Sequence, residues 1–387
     1  MHELHHGNCL DILRTLPDAS VDAVVTDPPY GLSFMGKRWD YDVPSVEIWE
    51  QCLRVLKPGG YLLAFAGTRT QHRMAVRIED AGFEIRDMIA WMYGSGFPKS
   101  LDVSKALDKA AGAKREIVGQ WKPTGTARPS KGKSHSAAKT TADCGYDPDT
   151  NAMVDITAPA TEAAKQWQGW GTALKPAMEP ITMARKPFRG TVADNVQAYG
   201  TGAINIDGCR IGNDLIKTMA KSQGEGFQTD YNGCEESTHL GRWPANVLHD
   251  GCEDVLRGMG EAARFFYTPK ACKEDRDDGC EMMEARQYSH DGRTKPLENA
   301  YQRNESEARN FHPTVKPTDL MRYLCRMVTP PGGIVLDPFT GSGSTGRGAV
   351  LEGFRFIGCE MDADYIEIAK ARILAAEKAY QPCLIFD

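Results

Sequence analysis

At both ends of the chain, short apolar runs alternate with stretches of helical spacing, and parallel strands joined by crossover helices are what such alternation builds. Val21 to Thr26 (VDAVVT) reads as a buried strand ending in a Pro-rich turn. Ser45 to Leu56 follows as a helix, with Val46, Trp49, Leu53 and Leu56 at spacings of three and four, and Lys57-Pro58-Gly59-Gly60 stops it. Tyr61 to Ala66 is a second buried strand, Arg69 to Ala81 a second helix closed by Gly82, and Phe83 to Tyr93 a third strand. Thr318 to Val328 resumes the pattern as a helix broken by PPGG, with a strand over Ile334 to Leu336 and a glycine-rich turn opening a helix through Leu351. Phe354 to Cys359 is a strand, and Asp364 to Ala376 an amphipathic helix. The expected fold class is α/β, with a doubly wound, mostly parallel sheet.

The middle of the chain has a different texture. Residues 1–97 and 310–387 read as two halves of one body, 98–172 as a basic insertion, 173–189 as a strand returning to the sheet (MEPITMARKPF, 178–188), and 190–309 as a second insertion. Lys270 to Arg309, highly charged with mixed sign, reads as a mobile surface loop. With 41% hydrophobic and 25% charged residues the chain is neither collagen-like, coiled-coil nor wholly disordered. No apolar run approaches the ~20 residues of a membrane span, and the start lacks a secretory signal, so a cytoplasmic location is expected. The 11 cysteines are scattered without a CxxC pair and match no zinc spacing, so reduced thiols and no metal site are expected. A net charge of −6 argues against a nucleic-acid partner, yet Gly94 to Thr140 holds ten basic residues against three acidic ones. That stretch reads equally as a phosphate-tracking segment or a solvated loop.

Two segments carry chemistry. Gly341-Ser342-Gly343-Ser344-Thr345-Gly346 follows a strand and opens a helix, and Glu360 ends the next strand, where a carboxylate accepts from ribose hydroxyls. Together they point to an adenosine-containing cofactor, NAD or S-adenosylmethionine. Thr26-Asp27-Pro28-Pro29-Tyr30 then separates the two. Its consecutive prolines make an extended, stiff corner whose carbonyls stay free to accept. The exocyclic amino group of a base is a poor nucleophile because its lone pair is delocalised. The Asp27 carboxylate and Pro28 carbonyl can each accept one of its N–H groups and aim the pair at an electrophilic methyl, an interaction that strengthens as charge develops on nitrogen. Tyr30 offers a face on which an extruded base can stack.

TDPPY at 26–30, HPTVKP at 312–317, DPFTGSGSTG at 337–346 and GCE at 358–360 resemble the motifs of the amino-group DNA methyltransferases that use S-adenosylmethionine. The order, catalytic motif first and cofactor loop last, resembles their circularly permuted beta class. The resemblance covers about residues 1–97 and 310–387, and implies a Rossmann-like methyltransferase fold. It assigns Asp27, Pro28, Pro29 and Tyr30 to the catalytic motif, and Asp337, Phe339, Gly341, Ser342 and Gly343 to the cofactor loop. It makes Glu360 the ribose-binding acid and sets Thr314 and Lys316 beside the cofactor's methionine end. Asn8, following Gly7, stands where the family has an aspartate contacting adenine; its amide keeps an acceptor but lacks the charge. The implied partner is double-stranded DNA, with the target-recognition region in the insertions.

Trp167, Trp170, Tyr231 and Trp243 there are either wedges for the duplex or buried packing. The acidic first residue of the catalytic motif leans toward adenine N6, with cytosine N4 as the alternative and an RNA or a protein glutamine amide as a further substrate class. A non-catalytic DNA-binding module and a dinucleotide oxidoreductase are the other classes considered. A homodimer is compatible with the sequence, as is a cognate restriction nuclease. With no nuclease motif in the chain, a solitary prokaryotic or phage modification enzyme is the expectation.

Overall fold

A computed structural model describes residues 1–32, 40–94, 100–121, 154–220, 235–267, 274–288 and 306–380. In chain order its strands are β1 (His2–His6), β2 (Val21–Thr26), β3 (Leu56–Phe65), β4 (Glu84–Met92), β5 (Glu116–Trp121), β6 (Val154–Ala158) and β7 (Met178–Arg185). They continue with β8 (Ile211–Ala220), β9 (Glu235–Arg242), β10 (Val247–His249), β11 (Arg286–Tyr288), β12 (Ser306–Ala308), β13 (Ile334–Asp337) and β14 (Arg355–Glu360). The chain divides into two compact units, residues 1–92 with 179–283 and 314–387, and residues 93–178 with 284–313.

The first unit holds an eight-stranded sheet ordered β1-β14-β13-β2-β3-β7-β4-β10. β1, β14, β13, β2 and β3 run parallel, β10 runs parallel to β4, and β7 lies antiparallel to β3. β2 is buried along all six residues, as a central parallel strand covered on both faces must be. Its one acid, Asp22, is compensated: Lys57 Nζ lies 2.6 Å from one oxygen, and the Ile334 amide donates at 2.7 Å to the other, tying β2 to β3 and β13. Helix Val46–Val55 buries Trp49, Cys52 and Val55 against Leu13, Leu56 and Leu62 in the core. Helix Thr318–Val328 buries eight of its eleven residues. A Cβ at Gly348 would lie 2.9 Å from Met321, so only glycine lets this helix approach Ser344–Leu351 so closely.

The structure departs from the sequence expectations in three places. The Lys57-Pro58-Gly59-Gly60 stop lies inside β3, which begins at Leu56, because the Gly59 amide donates to Lys186 O at 3.0 Å and Lys186 donates back to Gly60 at 2.9 Å. Residues 190–309, expected as one insertion, divide between the units, and β10 from this stretch forms the edge of the main sheet. Within the expected loop 270–309, Glu274–Asp277 is helical and β11 pairs antiparallel with β12.

The second unit pairs β5 with β6 antiparallel and packs helix Val103–Ala110 against Glu162–Gln166. Its hub is buried Asp108, which accepts from Arg115 at 2.7 Å, from Thr161 Oγ1 at 2.8 Å and from the Ala160 and Thr161 amides at 3.0 Å. Those donors hold its carboxyl below the usual range against the opposing effect of burial. Among the described residues no helix is long and apolar enough to cross a membrane. Seven described cysteines are free thiols; Cys144, Cys234, Cys272 and Cys383 lie outside the described residues.

Candidate active site

The register Leu336↔Val24 brings the ends of β13 and β2 together, although their residues are more than 300 positions apart. Thr26 Oγ1 donates to Asp337 Oδ1 at 2.6 Å, and both side chains are buried. From these neighbouring ends the chain proceeds to opposite sides, β2 to β3 and β13 to β14, which makes this the switch point of the sheet, where open α/β sheets bind ligands.

Pro28 and Pro29 stiffen the corner after β2, and Asp40 fixes the three residues beyond it. Only 2% exposed, the Asp40 carboxylate accepts from the Tyr30 amide at 2.6 Å, Gly31 at 2.9 Å and Leu32 at 3.2 Å. Sequence reasoning missed Asp40, and no local periodicity or motif marks it.

Around Asp27 lies a compact polar cluster. Tyr30 donates its hydroxyl to Asp27 Oδ1 at 2.6 Å, and Lys316 Nζ lies 2.7 Å from Asp27 Oδ2. Lys316 Nζ is also 3.1 Å from Glu179 Oε2 and 3.2 Å from the Tyr30 hydroxyl, so each of the three ammonium hydrogens has an acceptor inside the cluster. Tyr30 and Phe65 flank the ammonium, with ring centroids at 5.5 and 4.9 Å. Burial opposes the Lys316 charge, but Asp27 and Glu179 outweigh it and hold the ammonium above the ordinary lysine range. Burial, reinforced by the same two carboxylates, holds the Tyr30 phenol well above its usual range. Lys316 is thus engaged with Asp27 and Glu179. Glu179, at the start of β7, was missed; its one signal is an acid at the entry to a mostly apolar strand.

The glycine turn follows β13. Gly343 has φ +78°, and a Cβ there would meet Ala369 Cα at 2.9 Å; Gly341 has φ +52°. Its bend is fixed from two sides. The Gly341 amide donates to Glu360 Oε2 at 2.7 Å, while the other Glu360 oxygen accepts from the Asp362 amide at 2.8 Å. Beneath it, fully buried Arg372 donates to the Ser342 carbonyl at 2.6 Å and to its hydroxyl at 3.0 Å. Among the described residues no carboxylate accepts from it, and burial pushes the guanidinium down to about 10. Sequence periodicity missed Arg372, since an arginine near the apolar face of the last helix reads as solvated. Asp337 accepts from the Phe339 amide at 3.0 Å, and burial pushes its carboxyl up to about 6. The Phe339 ring meets Trp49 edge-on at 6.2 Å, joining turn to core.

Of the remaining expected residues, Asn8 lies beside the end of β14, since the Gly7 amide donates to the Glu360 carbonyl at 2.9 Å. The Asn8 side chain caps helix Cys9–Thr15, accepting from the Leu10 amide at 2.9 Å. Thr314 is exposed. Trp167, Trp170 and Trp243 are 40%, 59% and 66% exposed, so none of the three is buried packing; Tyr231 lies outside the described residues, as does most of the basic run.

The family model described as DNA methylase, covering N6 and N4 methyltransferases, matches residues 21–137 and 159–371. Type II methyltransferase M.HindIII of Haemophilus influenzae is 24% identical over 332 residues, spanning 85% of this chain and 68% of that protein. DNA adenine methyltransferase YhdJ of Escherichia coli is 44% identical over 62 residues, which are 16% of this chain and 21% of that protein. A solved complex of M1.HpyAVI with SAM is 16% identical, with a TM-score of 0.41 over 96% of this chain and 99% of that one.

Proposed function

Because this chain belongs to the DNA methylase family, we propose that it transfers a methyl group from S-adenosylmethionine to the exocyclic amino group of a flipped base in double-stranded DNA, with adenine N6 as the target. The observation that carries the reading is the 2.6 Å hydrogen bond from Thr26 to Asp337. It sets the acidic proline corner and the glycine turn side by side, so one crevice can serve both reactants. The catalytic-first order of the motifs supports the beta class. Adenine is favoured by the acidic Asp27 and by the likeness to a protein named as a DNA adenine methyltransferase.

The residues at the turn fit the donor. Glycines at 341 and 343 let backbone approach a ligand closely, and Glu360 retains lone pairs beyond those its two amide donors use. Glu360 would accept from the ribose, and the backbone around Gly341 to Gly343 would line the methionine portion, with Phe339 beside it. When bound, the donor supplies an electrophilic methyl on a sulfonium.

Asp27 and the Pro28 carbonyl accept the two amino N–H groups and make the nitrogen lone pair available along one direction. Tyr30 stacks on the extruded base while its hydroxyl holds Asp27 in place. The base leaves the duplex at a cost of a few kcal/mol, which contacts from the insertions offset. The test is mass spectrometry of nucleosides from duplex DNA incubated with enzyme and labelled donor. Labelled N6-methyl-2′-deoxyadenosine is expected; N4-methyl-2′-deoxycytidine would move the target base, and label confined to RNA or protein would overturn the reading.

A further inference from the structure

The cluster around Asp27 holds more charge than the chemistry assigned to it requires. Asp27 and Glu179 are carboxylates, Lys316 is a cation by virtue of both, and Tyr30 is neutral, so the four side chains together carry one negative charge. Asp27 with Lys316 alone would be a neutral ion pair. We propose that Glu179 is a positioning residue for methyl transfer, which with Lys316 sets the orientation of Asp27 and the net negative charge of the pocket. The proposal rests on the amino-methyltransfer reading above and adds to it two residues that touch neither reactant.

In the transfer, the amino nitrogen's electron pair forms the N–C bond while the C–S pair stays on sulfur, which becomes a neutral thioether. Nitrogen carries the positive charge until one N–H proton leaves to water. Positive charge therefore moves from sulfur toward Asp27. A pocket of net charge −1 stabilises that movement, whereas a neutral Asp27–Lys316 pair largely cancels its own field. Lys316 is nevertheless needed for geometry. It holds Asp27 Oδ2 at 2.7 Å while Tyr30 holds Oδ1 at 2.6 Å, so the carboxylate cannot rotate, and its remaining lone pairs face a fixed direction. Glu179, 3.1 Å from Lys316 Nζ, secures the holder of Oδ2.

Removing the Glu179 charge tests this directly. Glu179→Gln keeps the shape and an acceptor for Lys316 but makes the cluster neutral. It should lower kcat roughly 10- to 100-fold while the KM for DNA and the Kd for the donor stay within about twofold. Glu179→Asp, which keeps the charge, should lie nearer to wild type than to Glu179→Gln. Wild-type kcat in Glu179→Gln, or a Glu179→Asp loss equal to that of Glu179→Gln with donor binding intact, would overturn the proposal. Nucleoside analysis of the wild-type product runs alongside. Absence of amino-methylated base there defeats the parent reading, whereas its presence with an insensitive Glu179→Gln defeats only this one.

Discussion

Replacing Asp337 by asparagine should make the protein more stable at neutral pH, and the site itself sets the size of the gain. The carboxyl is buried between Thr26 and the start of the glycine turn, where burial raises it from 3.8 to about 6 despite hydrogen bonds from Thr26, Thr345 and the Phe339 amide; the Asp27 charge adds to the rise. Below pH about 4 the group is protonated in both folded and unfolded chains and contributes nothing. Between about 4 and 6 the unfolded chain has released its proton while the folded one retains it, so stability falls as pH rises through this window. Above about 6 the folded protein bears the full cost of an ionised buried carboxylate, about 3 kcal/mol. Asparagine cannot ionise, and its carbonyl still accepts from Thr26 and Phe339. Relative to wild type, Asp337→Asn should therefore gain about 2–4 kcal/mol in urea unfolding free energy between pH 4 and pH 7. Tryptophan fluorescence at several pH values in that range measures the difference profile, in which other titrating groups cancel. A difference that stays flat within about 0.5 kcal/mol would refute the assignment of a buried, raised carboxyl. Such a cost is characteristic of a group retained for function, so donor affinity should fall as stability rises.

Asp27→Ala should abolish methyl transfer while donor affinity stays within about twofold, as read by filter assay and calorimetry; equal loss of both would contradict its role at the base. Asp40→Ala leaves the Tyr30, Gly31 and Leu32 amides without their acceptor, and should lower kcat through a loosened corner while donor binding persists. Gly343→Ala forces a Cβ at φ +78° to within 2.9 Å of Ala369 Cα, and thermal unfolding should report a loss of about 2–4 kcal/mol together with weakened donor binding.

Much of the first unit was legible from periodicity. Val21–Thr26 and Thr318–Val328 fall where the apolar spacing sets them, because burial of a six-residue run or a helical stripe is a local property of residue order. The start of β3 was not, since Pro58 and Gly59 stop a helix locally but are drawn into extended structure by Lys186, over a hundred residues away. Trp167 and Trp170 also resisted reading. Tryptophan usually packs inward, whereas here the pair stands at the surface with centroids 5.0 Å apart.

Residue order alone determined that an acidic proline corner follows one strand and a glycine bend another, since φ restriction at proline and tolerance of positive φ at glycine act within a few residues. Which carboxylates and cations surround Asp27 was decided by strand order. Glu179 and Lys316 arrive from β7 and from the segment before Thr318, brought in by crossovers whose routes no local pattern encodes. The buried Lys316 ammonium is held by two carboxylates distant from it in the chain, and only the assembled sheet supplies them.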